Sequence, residues 1–337
     1  MSFVPPACPH SGCPASRPGS AFEYRCAGSY RRRCDGRSVA RFRCGTCHLT
    51  FSVQSFRLDY GLRRPELDRP IFLGFVSKVS HRQAARTLGT TRPTVRRRLL
   101  RYGAHAKELH ELLFEGKRVQ GSFSLDEAET FERDRRLEPV TLPVLIERGS
   151  RFLLHVETAA LPARKTTSPA LEKRKHELAL ARGPRRNGSN AAVERCFEVL
   201  RDHTGPERRV DVVTDLKSTY PNLLKKVFEK RKLAHLTTSS KEKRNVKNPL
   251  FAINHTLAML RDGVSRLVRR TWCHAKLRER LQLHVWIYVA WRNYVRGVSN
   301  RRKHVTPAME LGVDPVRWEL EELLRWRAPY ALALRGQ

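Results

Sequence analysis

Two aspartates and a set of cysteines are the residues of this 337-residue chain whose surroundings point to chemistry. Asp126 closes the apolar run Ser122-Phe123-Ser124-Leu125, and Asp215 closes Val210-Asp211-Val212-Val213-Thr214. Carboxylates at the ends of apolar strands stand at the rim of a core. Two of them brought together repel, and a divalent cation relieves that repulsion. A pair of Mg²⁺ or Mn²⁺ ions held there can activate a water or a 3′-hydroxyl and stabilise the leaving oxygen of phosphodiester transfer. Glu127 and Glu129 flank the first aspartate as supporting or alternative ligands, or as plain surface charges. Lys217 stands two residues beyond the second, in reach of a phosphate.

The cysteines suggest a different metal. Six of the eight lie before residue 48, a clustering that suits metal binding better than disulfides in a reducing compartment. Cys8-x4-Cys13 and Cys44-x2-Cys47 are close pairs on tight turns, the layout of a zinc ribbon, and four thiolates suit one tetrahedral Zn²⁺. Cys26 and Cys34 lie between the pairs, and His10 or His48 can substitute for a thiolate. Four protein ligands leave no open position, so this metal is expected to be structural.

The elements that must position these groups follow from the spacing of apolar residues. Short strands are expected near Glu23 to Tyr30 and Ser38 to Arg43. After these, Val79 to Leu100 has the ingredients of a helix-turn-helix: Ser80 as cap, Ala84 and Ala85 for close packing, Gly89 for the turn and Pro93 in the first turn of the second helix. There Val95, Leu99 and Leu100 are expected to face the core. Arg92, Thr94, Arg96, Arg97, Arg98 and Arg101 are left for phosphates or base edges. Strands are expected at Ser122 to Leu125, Val140 to Glu147 and Arg151 to Thr158. A basic, mobile loop or frayed helix entry covers residues 161–190. A helix from Ala191 to His203, a strand Arg209 to Thr214, a helix Pro221 to Lys230 and a strand Leu233 to Thr237 come next, then helices Leu250 to Arg269 and His274 to Val298. A final amphipathic helix, Pro315 to Arg327, is expected with Asp314 as its cap. Strand with Asp, two strands, helix, strand with Asp, helix, short strand and long helix is the element order of an RNase H-like α/β domain. Its first and fourth strands lie side by side, which brings Asp126 and Asp215 together.

Lys and Arg total 66 against 33 Asp and Glu, a net charge of +33. So large an excess points to a polyanion partner, bound with strong salt dependence. The 40% hydrophobic content argues against a packaging protein of the chromatin type. No apolar run is long enough for a membrane span and no signal pattern opens the chain, so a cytoplasmic, nucleoid-associated protein is expected, with no membrane partner. The aromatic residues Trp272, Trp286, Tyr288, Trp291 and Tyr294 are candidates for stacking on unpaired bases, with core packing the simpler role.

Four stretches resemble bacterial insertion-sequence transposases of the insertion sequence one type: Leu125-Asp126-Glu127-Ala128-Glu129-Thr130-Phe131-Glu132, Thr214-Asp215-Leu216-Lys217, Asn254-His255-Thr256-Leu257-Ala258-Met259-Leu260-Arg261 and Arg266 to Lys276. The resemblance implies a multidomain chain: a zinc ribbon over 1–57, a helix-turn-helix DNA-binding domain over 58–115, an RNase H-like DDE-type domain over 116–305 and a helical tail over 306–337. It also implies Mg²⁺-dependent cleavage and 3′-hydroxyl strand transfer at element ends. The partners are then terminal inverted repeats and target DNA, and the chain is a homodimer or higher when two ends are synapsed. Asp126 and Asp215 take the first two acidic positions, and Asn254 falls where a glutamate is expected. Its neutral carbonyl is a weaker ligand, so Glu242 or Asp262 is an alternative third group, and His255 is a substrate contact. Two further readings are a domesticated, catalytically inactive DNA-binding regulator and a nuclease acting on branched DNA.

Overall fold

The computed structural model describes residues 3–19, 22–229, 231–239, 241–243, 245–268 and 272–335. Tyr24–Arg31 (β1), Ser38–Cys44 (β2) and Thr50–Ser52 (β3) form a small antiparallel sheet in that order. Phe42 lies opposite Phe51 and their rings stack with centroids 5.6 Å apart, which gives this small module an aromatic core.

Three helices follow: Asp68–Val76 (α1), His81–Thr87 (α2) and Arg92–Phe114 (α3). Ser80 and Gln83 form a reciprocal capping box at α2, with Gln83 N–H donating to Ser80 Oγ at 3.3 Å and Ser80 N–H to Gln83 Oε1 at 2.9 Å. Gly89 takes the turn at φ +55°, and Thr91 caps α3. The buried stripe of α3 is Val95, Leu99, Tyr102, Ala106, Leu109 and Leu113. Its helical phase leaves Leu100 exposed, against expectation, and turns Arg98 inward. Arg98 is therefore not a free cation: its Nε lies 2.6 Å from Asp68 Oδ1. Arg101 is committed too, donating to the carbonyls of Leu58 at 2.8 Å and Tyr60 at 2.9 Å.

The second half of the chain contains Ser122–Phe131 (β4), Pro139–Glu147 (β5), Leu153–Val156 (β6), Ala159–Ala160 (β7), Pro169–Arg182 (α4), Ser189–Asp202 (α5), Val210–Thr214 (β8), Tyr220–Phe228 (α6), Leu233–Thr237 (β9), Phe251–Gly263 (α7) and Arg278–Ala290 (α8). The short helices Pro307–Glu310 (α9), Leu320–Leu323 (α10) and Ala328–Ala331 (α11) complete it. The chain is thus mixed α/β, with a six-strand mixed sheet flanked by helices. Strands run β6-β5-β4-β8-β9 with β7 on β5; β4, β5 and β6 are antiparallel, and β4, β8 and β9 parallel. β5 is buried along its whole length. Among the described residues no helix is long and apolar enough to cross a membrane.

Three expectations change. Residues 161–190 contain the helix α4, which buries none of its side chains and is held by ion pairs of Arg174 with Asp134 and Arg182 with Glu138. α7 stops at Gly263, where an added Cβ would lie 2.5 Å from a Tyr288 ring carbon and 3.2 Å from the Val76 carbonyl. The Lys78 N–H donates to the Gly263 carbonyl at the same place. The segment from Pro315 is not a helix capped by Asp314. Asp314 instead accepts from the Trp318 indole at 2.7 Å and pairs with Arg335, which pins Trp318 in the core. Arg327 N–H donates to the Phe56 carbonyl and Leu58 N–H to the Arg325 carbonyl, so this tail straps the N-terminal module to the body.

α3 runs deep into that body. His105 Nε2 lies 2.9 Å from the Leu323 carbonyl; His110 Nε2 lies 3.0 Å from the Leu154 carbonyl, and its Nδ1 3.0 Å from the Tyr294 hydroxyl. At Gly103 a Cβ would fall 2.5 Å from Leu283 Cβ and 2.7 Å from the Leu283 carbonyl, both on α8. We therefore expect Gly103→Ala to force α3 and α8 apart and to cost about 1–3 kcal/mol in urea unfolding; a neutral change would mean the helices do not touch there. Burial holds His105 at a pKa of about 4 and His110 at about 3, so each takes up its proton only on unfolding. Their contribution is present above about pH 6.5 and is lost as pH falls below it. Between about pH 7 and pH 5 each should remove about 2 kcal/mol, read as a falling urea midpoint. A flat midpoint over that range would show that these rings titrate in the folded chain.

Candidate metal and carboxylate sites

The cysteine site is built by two turns of the N-terminal module. Cys8 and Cys13 precede the sheet, and Cys44 and Cys47 occupy the turn after β2, where Cys47 N–H donates to Cys44 Sγ at 3.5 Å. Sγ atoms of Cys8 and Cys47 are 3.7 Å apart, those of Cys13 and Cys44 are 3.8 Å apart, and all four lie within 4.8 Å of one another. A Zn–S length of about 2.3 Å requires a tetrahedron edge of about 3.8 Å, so the quartet is consistent with a zinc-binding site. Burial raises the Cys44 thiol, but the backbone N–H groups of Cys47 and Thr46 outweigh it and bring the pKa down to about 7. Cys26 and Cys34 are exposed, and neither they nor His10 or His48 belongs to the cluster. Among the described residues this is the one such group of His, Cys, Asp or Glu.

The carboxylates gather at the sheet. β4 and β8 are parallel neighbours pairing Ser122 with Asp211, Phe123 with Val212 and Ser124 with Val213. Carried onward, that register sets Asp126 beside Asp215. The Asp126 carboxyl is pushed up to about 6, first by burial and then by the charges of Asp215 and Glu127, with the Glu127 N–H and Arg261 working the other way. Asp126 Oδ1 accepts from Glu127 N–H at 2.7 Å, and Asp215 Oδ1 from Lys217 N–H at 3.1 Å. Oxygen donors of this kind suit a hard divalent cation. Asn254 is half-buried on α7, which packs on β4, and shares a flank of that helix with Arg261. The alternative third groups stand elsewhere. Glu242 is exposed in a loop, and Asp262 pairs with Lys78 at 3.6 Å. His255 accepts from Arg151 at 3.4 Å and is held below its usual pKa by burial and the charges of Arg151, Arg292 and Arg296.

Alternation along β4 sends Glu127 to the opposite face, where it is neither a ligand candidate nor a surface charge. Its carboxylate accepts from Thr141 Oγ1 at 2.6 Å, Ser189 Oγ at 2.8 Å and Tyr220 OH at 2.9 Å, and it is ion-paired with Lys217. Burial opposes its ionisation, but the Lys217 ammonium and the Thr141 and Ser189 hydroxyls prevail and hold the carboxyl below its ordinary value. Lys217 also donates to Ser189 Oγ at 2.8 Å, so it ties the loop after Asp215 to β4 instead of reaching out for a phosphate. This network was missed in the sequence. Its one signal there is the strand period of two, which sets 126 and 127 on opposite faces. Glu129 is exposed and paired with Arg164 at 2.6 Å.

A cleft of about 840 Å³ opens at the end of β4, lined by Phe131, Arg135, Arg164, Arg261, Trp272 and His274. Trp272 is 96% exposed there, whereas Trp286, Tyr288 and Tyr294 are buried in the core. Arg269, Arg270 and Thr271, part of the arginine-rich stretch noted in the sequence, lie outside the described residues.

For the cysteine site we expect one Zn²⁺ per chain by metal analysis of purified protein. Cys44→Ser should abolish it, and Cys26→Ser and Cys34→Ser should each retain it. Loss of metal in either of the latter two would reassign the ligands. Compared with known proteins, the chain matches no family model and no curated protein.

Proposed function

We propose that this chain is a DNA transposase of the DDE type, binding duplex DNA through its helix-turn-helix and cutting and joining phosphodiester bonds at Asp126 and Asp215. The observation that carries the reading is the register of β4 on β8, which sets two aspartates side by side in a chain of net charge +33. The sheet order, three antiparallel strands continued by two parallel ones, supports an RNase H-like fold for this part. Asp126, Asp215 and Asn254 are the residues that would hold Mg²⁺ or Mn²⁺. When bound, the metal supplies charge neutralisation and Lewis acidity for in-line displacement at phosphorus. The protein's own part is positional. Lys217 and Glu127 fix the loop carrying Asp215, and Arg261 sets a positive charge beside Asp126. Arg92, Arg96 and Arg97 remain exposed at the start of α3 to meet phosphates, with Thr94 accepting from Arg97 at 3.4 Å. Terminal inverted repeats and target DNA are the proposed partners, in the bacterial cytoplasm, with a dimer or higher assembly at synapsis.

A second reading, a catalytically silent DNA-binding regulator, is favoured by one observation: Asn254 stands where a third carboxylate is expected. Cleavage of supercoiled DNA carrying the repeats that flank the gene separates the two. For the transposase, Asp126→Asn and Asp215→Asn should each lower the Mg²⁺-dependent rate about a thousandfold or more while DNA binding persists. The rate should rise as pH increases through about 6, because Asp126 must lose its proton before it can hold a cation. Wild-type protein that binds DNA yet never cuts it, indistinguishably from Asp126→Asn, would establish the regulator.

A further inference from the structure

The indole at the cleft beside β4 has no role in the core. Among the described residues, which include all five tryptophans, Trp272 alone is exposed, at 96%; Trp286, Trp318 and Trp326 are buried, and Trp291 is half-buried. A ring that large, left out in water, is available to a partner with a flat apolar face of its own. Its surroundings are aromatic and basic together. The Phe131 and His274 rings stack with centroids 4.8 Å apart, and Arg135, Arg164 and Arg261 line the same opening.

A second cleft, of about 750 Å³, shares Arg135 and Arg164 with the first and continues past Arg136 and Lys165 to Lys175 on α4. The two therefore form one basic path. Six Arg and Lys side chains line it against two carboxylates, Glu129 and Glu172. Both carboxylates are already taken, by Arg164 at 2.6 Å and Lys175 at 3.2 Å. Arg135, Arg136 and Lys165 are exposed, and among the described residues they make no ion pair. Local hydrogen bonds fix the backbone that presents them. Asp134 Oδ1 accepts from the N–H groups of Arg136 at 2.8 Å and Leu137 at 3.0 Å, and Arg164 N–H donates to the Arg136 carbonyl at 2.8 Å.

A basic path with a protruding ring discriminates between forms of DNA. Inside a duplex each base face is covered by its neighbours and an indole has nowhere to stack, whereas an unpaired base offers a free face. We infer that this path holds a single-stranded segment of DNA, its phosphates along Arg135, Arg136 and Lys165 and one unpaired base stacked on Trp272. The track rests on the DNA reading above and adds to it the form of DNA bound here. Stacking accepts any base, so the track holds a strand without reading its sequence. Arg261 lines the cleft and its charge also bears on the Asp126 carboxyl, so a strand held there adjoins the paired aspartates.

Two readouts on the full-length protein test the track: quenching of tryptophan emission by an oligothymidylate of about ten nucleotides, and salt-dependent anisotropy with the same strand labelled. The single strand should quench the wild type at saturation, and a closed circular duplex, which has no ends, should not. Trp272→Ala should remove the quenching and weaken single-strand binding about tenfold. Arg135→Gln with Arg136→Gln should lower the slope of log affinity against log salt by about 1.4, the share of two phosphates on a single strand. The control Arg208→Gln with Arg209→Gln removes the same charge from the exposed turn before β8 and should leave that slope unchanged. Quenching that persists in Trp272→Ala, equal quenching by the closed circle, or an equal fall of slope in the control each overturns the track. If the track fails while supercoiled DNA is still cut, the transposase reading stands. Single-strand quenching by a protein that neither binds nor cuts duplex defeats that reading and leaves the track in place.

Discussion

The close approach of α3 to α8 at Gly103 governs much of this structure. With no side chain on α3 at that point, the backbone meets Leu283 directly, and a single added carbon would overlap it at 2.5 Å. α3 is one unbroken helix of 23 residues, about 35 Å of rod. Its first turns present Arg92, Arg96 and Arg97, and its last turns hold His105 and His110 in the core against the C-terminal strap and β6. The helix that would read DNA is therefore also a pillar of the body, and its direction is set by packing some distance from the exposed arginines. Gly263 plays a related part where α7 ends against α1 and α8.

The second constraint is the use of scarce carboxylates. In a chain with twice as many cations as anions, Asp59, Asp68, Glu127, Glu138 and Asp314 are drawn inside to neutralise Arg or Lys. These pairs pin loops to neighbouring elements, which is where a buried ion pair is most useful. Asp126 and Asp215 depart from the pattern: among the described residues neither makes an ion pair, and the register of β4 on β8 carries them side by side. The Asp126 carboxyl is raised first by burial and then by the charges of Asp215 and Glu127, and a divalent cation relieves both effects.

Much of this was legible in the chain itself. The cysteine quartet followed from pair spacing, because ligands two to four residues apart on a turn already converge. The capping box at Ser80, the turn at Gly89 and the start of α3 followed from local chemistry, and strands β4, β5, β8 and β9 from runs of apolar, partly β-branched residues. Arg98 was read as a phosphate contact and is an interior ion pair, because helical phase and an acidic neighbour thirty residues away decide where a long side chain goes. Lys217 was misjudged for the same reason, its partner Glu127 lying on another strand. For residues 161–190 the sequence leaves a mobile loop or a frayed helix entry open, because the helix α4 there buries nothing.

The sequence by itself therefore determined what nearest neighbours control: metal-ligand pairs, caps, turns, the order of strands and helices, and the aspartates at the ends of two apolar runs. Tertiary structure alone decided that Glu127 turns away to four donors, that the C-terminal tail straps the N-terminal module, and that Arg98 meets Asp68 instead of solvent. Each of these depends on strand register or on the packing of elements far apart in the chain. Those relations arise from burial summed over many side chains, and no local run of residues records them.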